Sequence, residues 1–350
     1  MCLQARVPAT ENQTAAFTMF AKLSRLPREI WLSGVLLSGL SALSCIGGLA
    51  EFGGAFSGWL DLANVFAPEF LVVGCMIAIL IAIMRLPVQL KAVLCVLTSI
   101  GIVSAAARIG RDIVWSASDI PKAEGHTFKV LTFNVWNRNI APAMTAEQIL
   151  RTDADLVGLV EDKGNLRPEL PRLSETYPYE AECDQDRMDG CIIYSKKPIL
   201  AHGTLARAPY GVAMLWVRII APDRKPMTIC LVHLAHPTPP RPQALQRDAV
   251  VQMLSELPKN ETILMGDFNS TPWSFAMQRL DHDLKPLTRR THSIYTWPAH
   301  LLGINVQIPF PLLPIDHIYA SPNMATQAVE RLARSGSDHY GVLAIFSLRP

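Results

Sequence analysis

The sequence predicts an α/β or α+β domain carried behind about three membrane-spanning helices, and three observations predict it. Apolar residues crowd the first third of the 350-residue chain in runs of spanning length with few or no charges. Beyond residue 126, short apolar runs that read as strands alternate with helical stretches. Several of those strands end in an acid, an amide or a histidine.

The front third divides into a polar tail, 1–29, and an anchor, 30–111, with spans at about 30–50, 63–84 and 86–107. The second run reaches full length only by including Glu69, and the third carries Lys91 near its start. Gly, Ser and Ala recur in the first and third runs, which suits close approach of helices in lipid. Helices buried in a soluble core rarely stay apolar on every face for so long. A cleaved leader fits poorly, because the polar tail is long and further runs follow.

Basic residues set the expected orientation. Arg6, Lys22, Arg25 and Arg28 precede the first run, and Arg85 and Lys91 lie between the second and third. The connection between the first and second holds Glu51 and Asp61 and no Lys or Arg. This pattern puts the tail inside and the C-terminal part outside. Arg108, Arg111 and Lys122 pull the other way. A bacterial inner membrane with the large domain in the periplasm is the expectation.

A polar connector, 112–125, leads to the domain at 126–350. There 128–134 alternates apolar and polar residues and ends in Asn134. The run 155–161 ends in Glu161, and 227–233 ends in His233. The apolar run from Ile263 ends in Gly266-Asp267-Phe268-Asn269, after which Thr271 caps a helix and Pro272 occupies its first turn. Ile315-Asp316-His317 and Ser337-Asp338-His339 precede the last short apolar runs.

Thr145 and Gln148 form a capping-box start. Residues 242–257 read as a helix with Leu245, Met253, Leu254 and Leu257 inward, and 214–220 and 227–234 read as a hairpin. A long loop, 293–313, holds Tyr295, Trp297 and Phe310 beside the strand-end acids, where loops often face a ligand. Seven cysteines include Cys45, Cys75 and Cys95 within spans, and no Cys-x-x-Cys indicates a structural zinc. Cys183 and Cys191 flank a polar loop. In an oxidising compartment they bridge it; two unpaired thiols are the alternative.

The ordered set Asn134, Glu161, His233, Asp267-x-Asn269, Asp316 and Asp338-His339 resembles the endonuclease/exonuclease/phosphatase, or DNase I-like, superfamily over roughly 126–350. The blocks 134–138 and 233–237 are similar to a bacterial membrane-anchored branch of it. One position departs: Val160 stands where the family usually has Gln before its metal-binding Glu.

The resemblance implies a four-layer sandwich, two packed mixed β-sheets flanked by helices, and hydrolysis of a phosphodiester or phosphomonoester by water activated with Mg²⁺ or Mn²⁺. It makes Glu161, with Asn134 and Asp338, the metal side, a phosphate oxygen being the alternative partner for Asn134. It makes Asp267 the general base beside Asn269, His233 and His339 the phosphate-facing imidazoles, and Asp316 the partner that charges His339. An ordinary carboxylate pKa, ionised at neutral pH, is the expectation for Asp267. Such chemistry needs heavy stabilisation of developing charge, which a carboxylate-held cation supplies. Taken singly, each residue has a bland reading as a turn amide, surface acid or satisfied histidine; the ordered set outweighs it.

Arg138 and Arg241 are candidates for substrate phosphate, though ordinary solvated arginine also accounts for them. His236 reads as a loop or entry residue and His317 as structural, on the opposite face from Asp316. Trp136, Trp273 and Trp297 either shape the pocket or pack the core.

Net charge is +2, from 32 basic and 30 acidic residues, and 23 basic against 22 acidic residues from His126 onward leave the domain nearly neutral. A protein that grips long nucleic acid carries a clear basic excess. A lipid head group or small phosphoester is therefore favoured over nucleic acid. The partners expected are the bilayer, through the N-terminal helices, and a phosphate-ester substrate; no protein partner is inferable. A membrane-tethered nuclease and a catalytically silent binding protein are the competing readings.

Overall fold

The computed structural model describes residues 28–116, 126–183, 190–206, 212–258, 261–300, 306, 308 and 310–348. The tail through residue 27, with Arg6, Lys22 and Arg25, lies outside them. So do connector residues 117–125 with Lys122, loop residues 184–189 and, within the long loop, 301–305, 307 and 309.

Three helices are long and apolar enough to cross a membrane. They are α1 (Arg28–Gly53), α2 (Ala67–Ile83) and α3 (Val88–Ser116). Between α1 and α2 run a helical turn, Gly58–Asp61, and a 3₁₀ turn, Leu62–Phe66. The chain divides into two compact units. One comprises 1–50 and 68–106, the other 51–67 and 107–350.

In the first unit Leu37, Ile77, Ile81, Leu86, Leu90 and Leu94 pack into one cluster. Thr98 donates a buried hydrogen bond to Ser41 across the helices (3.0 Å). A Cβ on Gly48 would meet the Gly101 backbone at 2.8 Å, so small residues at this crossing let the backbones touch.

The second unit is a four-layer sandwich. Its strands are β1 (His126–Asn134), β2 (Leu156–Val160), β3 (Tyr179–Glu182), β4 (Cys191–Ser195), β5 (Ile199–Ala206) and β6 (Val212–Ile220). They continue with β7 (Pro226–His233), β8 (Thr262–Asp267), β9 (Thr288–Arg289), β10 (Asp316–Ala320), β11 (Met324–Arg331) and β12 (Val342–Leu348). One six-stranded sheet runs β11-β12-β1-β2-β4-β3 and the other β5-β6-β7-β8-β10-β9. Both are mixed: β1–β2 and β7–β8 are parallel pairs among antiparallel neighbours.

The middle layer is the interface of the sheets. Val130, Leu156 and Ile193 from one meet Leu215, Leu231 and Met265 from the other. Outside the first sheet lie α4 (Pro142–Arg151) and α5 (Leu170–Ser174), which bury Ile149 and Leu173. Outside the second lie α6 (Pro240–Ser255) and α7 (Phe275–Asp283), which bury Val250, Leu254, Met277 and Leu280. The expected hairpin is β6–β7, with Ile220 opposite Pro226. Cys183 and Cys191 are joined by a disulfide.

Two expected helix starts are displaced. Helix α4 opens at Pro142, so Thr145 is one turn inside it and bonds the Ala141 carbonyl and Asn139 instead of capping. After β8 the helix opens at Phe275, four residues beyond Thr271. Ser274 is the N-cap, its hydroxyl accepting from Met277 N (3.1 Å). The carboxylate of Asp61 takes the N–H groups of Phe275 and Ala276 (2.8 Å each). A carboxylate that supplies two acceptors at a helix start satisfies orphan donors and complements the dipole. Tertiary contact thus moves the boundary that local preference put at Thr271.

The same connection is tied down elsewhere. Asn64 donates to Asp61 (2.8 Å) and to the Glu51 carbonyl (3.1 Å), and Trp273 Nε1 donates to the Val65 carbonyl (3.0 Å). Toward the end of α3, Arg108 lies 4.0 Å over the Phe275 ring and donates to Gln278. Asp112 accepts from buried Arg289 at 2.7 Å. The second compact unit therefore begins before residue 126 and includes 51–67.

Candidate active site

Strand register brings the predicted residues together. Asp267 of β8 lies opposite Asp316 of β10 and beside His233 of β7, three functional groups in one row. In the other sheet Asn134 pairs with Val160, so Glu161, the next residue, leaves the same sheet end. Gly266 has φ +141°, and a Cβ there would collide with the Val232 carbonyl, so only glycine delivers Asp267 at this bend. Glu161 (φ +60°) and Asn269 (φ +48°) occupy the left-handed region. That is easy for Asn and costs Glu of the order of 1 kcal/mol.

Asn134 links the sheets. Its amide nitrogen donates to Glu161 Oε1 (3.0 Å) and Asp267 Oδ2 (3.1 Å), while its oxygen accepts from Trp136 N (3.0 Å). In this arrangement Asn134 holds two carboxylates in place rather than offering its oxygen to a cation. The second Glu161 oxygen accepts from Asn137 N (3.2 Å). His233 Nε2 lies 3.8 Å from Glu161 and 3.9 Å from Asp267.

His339 Nδ1 makes a 2.9 Å hydrogen bond to Asp316 Oδ2, and its Nε2 lies 3.8 Å from Asp267. Burial opposes a charged ring here, but Asp316, then Asp267 and Asp338, outweigh it and push the imidazole up to about 10. The ring is a charged donor at neutral pH. Asp267 departs from the ordinary carboxylate range. Burial first, then Asp316, raise it, against the opposing pull of both histidines and Asn134. Raising a carboxylate makes its ionised form the stronger base. Burial, with Glu161 nearby, also raises Asp338.

Four carboxylates, Glu161, Asp267, Asp316 and Asp338, face at most two imidazolium charges. Oδ1 of Asp316 and Oδ1 of Asp338 are buried without a hydrogen-bond partner among the described residues. Excess negative charge with orphaned hard oxygen donors fits a divalent cation. Asp267, Asp316 and His339 also place one donor atom each within 4.8 Å of one another. The 2.9 Å Asp316–His339 bond already commits that pair to each other, which leaves Glu161 and Asp338 as the carboxylates best placed to hold a cation. Bound there, it would supply Lewis-acid stabilisation of charge on a phosphoryl oxygen.

Asn134, Glu161, Asp267, Asp338 and His339 open on a cleft of about 690 Å³, with Asp316 and His233 behind its lining. Arg138, His236, Trp136 and Trp297 line it, as the entry and pocket-shaping readings expect. Trp297 Nε1 donates to Asp338 (3.3 Å). Trp273 is core, 2% exposed. Arg241 does not line this cleft. It belongs to an adjoining one with Arg247 and Arg279, because α6 starts two residues earlier than expected and carries Arg241 on its first turn. His317 is structural: Thr291 bonds its Nδ1 and the Ser270 carbonyl its Nε2, both at 3.0 Å.

Sequence reasoning missed three supports. Gln243 donates to the carbonyls of Ala235, Phe268 and Asn269 and so holds the Gly-Asp-x-Asn turn. Ser337 bonds the Asn134 carbonyl (2.7 Å) and receives His339 N (3.0 Å). Leu62, Val65 and Phe66, from between α1 and α2, form part of the cleft wall. No local pattern marks a glutamine on a helix or a connection far upstream as part of a site.

Comparison with known proteins agrees with the geometry. The fold of D. rerio TDP2, solved with a single-stranded DNA product, superposes with TM-score 0.53 and 17% identity, covering 63% of this chain and 99% of that one. An endonuclease/exonuclease/phosphatase from Bacteroides vulgatus gives 0.51 and 17%, covering 64% and 100%. A family protein from Bacteroides thetaiotaomicron gives 0.50 and 17%, covering 65% and 99%. No curated protein matches the sequence. The model of the endonuclease/exonuclease/phosphatase family matches residues 131–339, and the chain belongs to that family.

Proposed function

We propose that the chain is a membrane-anchored phosphoesterase that uses Mg²⁺ or Mn²⁺ to hydrolyse a phosphodiester or phosphomonoester. The observation that carries this reading is the Asp316–His339 hydrogen bond, set among Glu161, Asp267 and Asp338 at the mouth of one cleft. His339, charged by Asp316, donates to the phosphoryl oxygens as negative charge grows there, and His233 faces the same phosphate. Asp267, held by Asn134 and the Asn269 backbone, takes the proton of the attacking water. Glu161 and Asp338 hold the cation.

The anchor is the three N-terminal helices, with the domain on the periplasmic side of a bacterial inner membrane. One feature supports that side and a second supports the number of spans. The Cys183–Cys191 disulfide suits an oxidising compartment. The connection 51–67 and the domain belong to one compact unit, as they must if two spans separate them.

The test uses the full-length protein in detergent with a chromogenic phosphodiester and phosphomonoester, in Mg²⁺, Mn²⁺ or chelator. Hydrolysis that needs metal and disappears in His339→Ala is the expected result. A folded protein that leaves both esters intact in either metal overturns the enzyme reading in favour of a binding protein.

A further inference from the structure

The catalytic cleft has a wall that the strand-end chemistry does not require. Leu62, Val65 and Phe66 line it from the connection between α1 and α2, opposite chemistry contributed by residues more than 60 positions later in the chain. Phe66 is 45% exposed and immediately precedes α2. Trp297, Leu313 and Ile315 continue the apolar lining from the domain itself.

This wall is built in, not incidentally nearby. The Asp61 carboxylate caps the helix that follows the Gly-Asp-x-Asn strand, and the Val65 carbonyl accepts from buried Trp273. These three bonds anchor the connection at Asp61 and Val65, on either side of Leu62 and next to Phe66, so the apolar side chains are fixed in the cleft. On the same connection Phe56 is 92% exposed, Trp59 63% and Leu60 43%. Aromatic side chains exposed next to spanning helices suit the membrane–water interface. The connection is bounded by spans on both sides, which tethers this wall close to the bilayer surface by chain length alone. A small, wholly polar phosphoester gains little from such a wall; an amphiphile gains burial of its apolar part.

We infer that the substrate is an amphiphilic phosphoester drawn from the bilayer, its phosphate at His339 and Asp267 and the first part of its apolar chain against Leu62, Val65 and Phe66. This rests on the phosphoesterase reading above. The nearly balanced charge of the domain agrees with it, since a protein that grips a polymeric nucleic acid carries a clear basic excess.

The experiment places the full-length protein in phosphatidylcholine vesicles with Mg²⁺ or Mn²⁺. Phosphatidic acid and phosphatidylglycerol are each offered with long and with short acyl chains, alongside single-stranded DNA and the chromogenic esters. Long-chain substrate should be preferred in kcat/KM by at least about tenfold. In Val65→Asp and Phe66→Ser the long-to-short ratio should fall by about tenfold, a change of about 1.4 kcal/mol in discrimination. Leu62→Ser is the backup should either variant fail to melt cooperatively. Metal-dependent cleavage of the chromogenic esters with no chain-length preference, or with DNA the best substrate, overturns the inference and leaves the phosphoesterase standing. An unchanged ratio in all three folded variants overturns it as well. No cleavage of any ester overturns both.

Discussion

The strand-end site and the connection 51–67 face the same cleft, yet one is written locally in the sequence and the other is not. Asn134, Glu161, His233, Asp267 and Asp316 each begin, close or follow a strand whose apolar pattern identifies it, and parallel or antiparallel register does the rest. Asp61 is an isolated acid between two apolar runs, and its work is done on backbone 214 residues away. Chemistry set by strand ends is readable because period-two patterning fixes which side chains emerge where. Support set by a distant carboxylate leaves no spacing to read.

The largest effect expected separates the two regions by kind. His339→Ala or Asp267→Ala should lower phosphoesterase turnover by about 10³-fold or more while the melting temperature changes little. Near-wild-type turnover in either folded variant would falsify the roles assigned to these two side chains. Connection variants should do the reverse, moving stability and chain-length preference more than chemistry.

Next comes the ion cluster at the end of α3. Arg289 is buried and bonds Asp112 (2.7 Å) and Asp281 (3.1 Å), which hold its pKa well above the ordinary value although burial opposes the charge. Arg289→Met strands those carboxylates and should destabilise the second unit by about 3–5 kcal/mol. A fragment beginning at residue 126 lacks Asp112 and Asp61, so it should be cleaved faster by protease under native conditions than the same domain in the full chain. Equal resistance would show that the anchor-side contacts are dispensable.

Asp61→Ala removes two N–H acceptors and the Asn64 bond, at a cost of about 1–3 kcal/mol. Thermal unfolding of Asp61→Ala beside Asp61→Asn, which keeps one acceptor, measures it. An Ala variant as stable as wild type would reduce the connection to a passive cover.

The smallest effect is a pH dependence in the shared floor of the site. Burial, then Arg289, depress His317 from 6.5 to about 3. The unfolded chain therefore binds a proton below pH 6.5 that the folded chain refuses. The stability this neutral ring contributes is complete above pH 6.5 and is lost as pH falls toward 3. His317→Gln should flatten that decline in denaturant titrations between pH 7 and 4. A slope identical to wild type would assign the acid lability elsewhere.

Where local reading failed, it failed to tertiary partners. Thr271 has the chemistry of a cap, but Ser274 and Asp61 take the helix start, and buried Trp273 is placed by the turn between them. Thr145 carries the right spacing with Gln148, but Pro142 opens the helix a turn earlier. Asn134 was legible as a site residue and not as the bridge between Glu161 and Asp267, because an amide alone does not tell which of its ends will be used.

The Asp61 cap also has a consequence for biogenesis. Its carboxylate is synthesised 214 residues ahead of the backbone N–H that it receives. By then two further helices long enough to span the membrane have been made. With the domain on the periplasmic side, as proposed above, the connection would wait on the far side of the bilayer until the β8–α7 turn is delivered there, and the last wall of the cleft would close only after translocation of most of the chain. On that reading, a cell that makes this protein would assemble no finished cleft on the near side of the membrane.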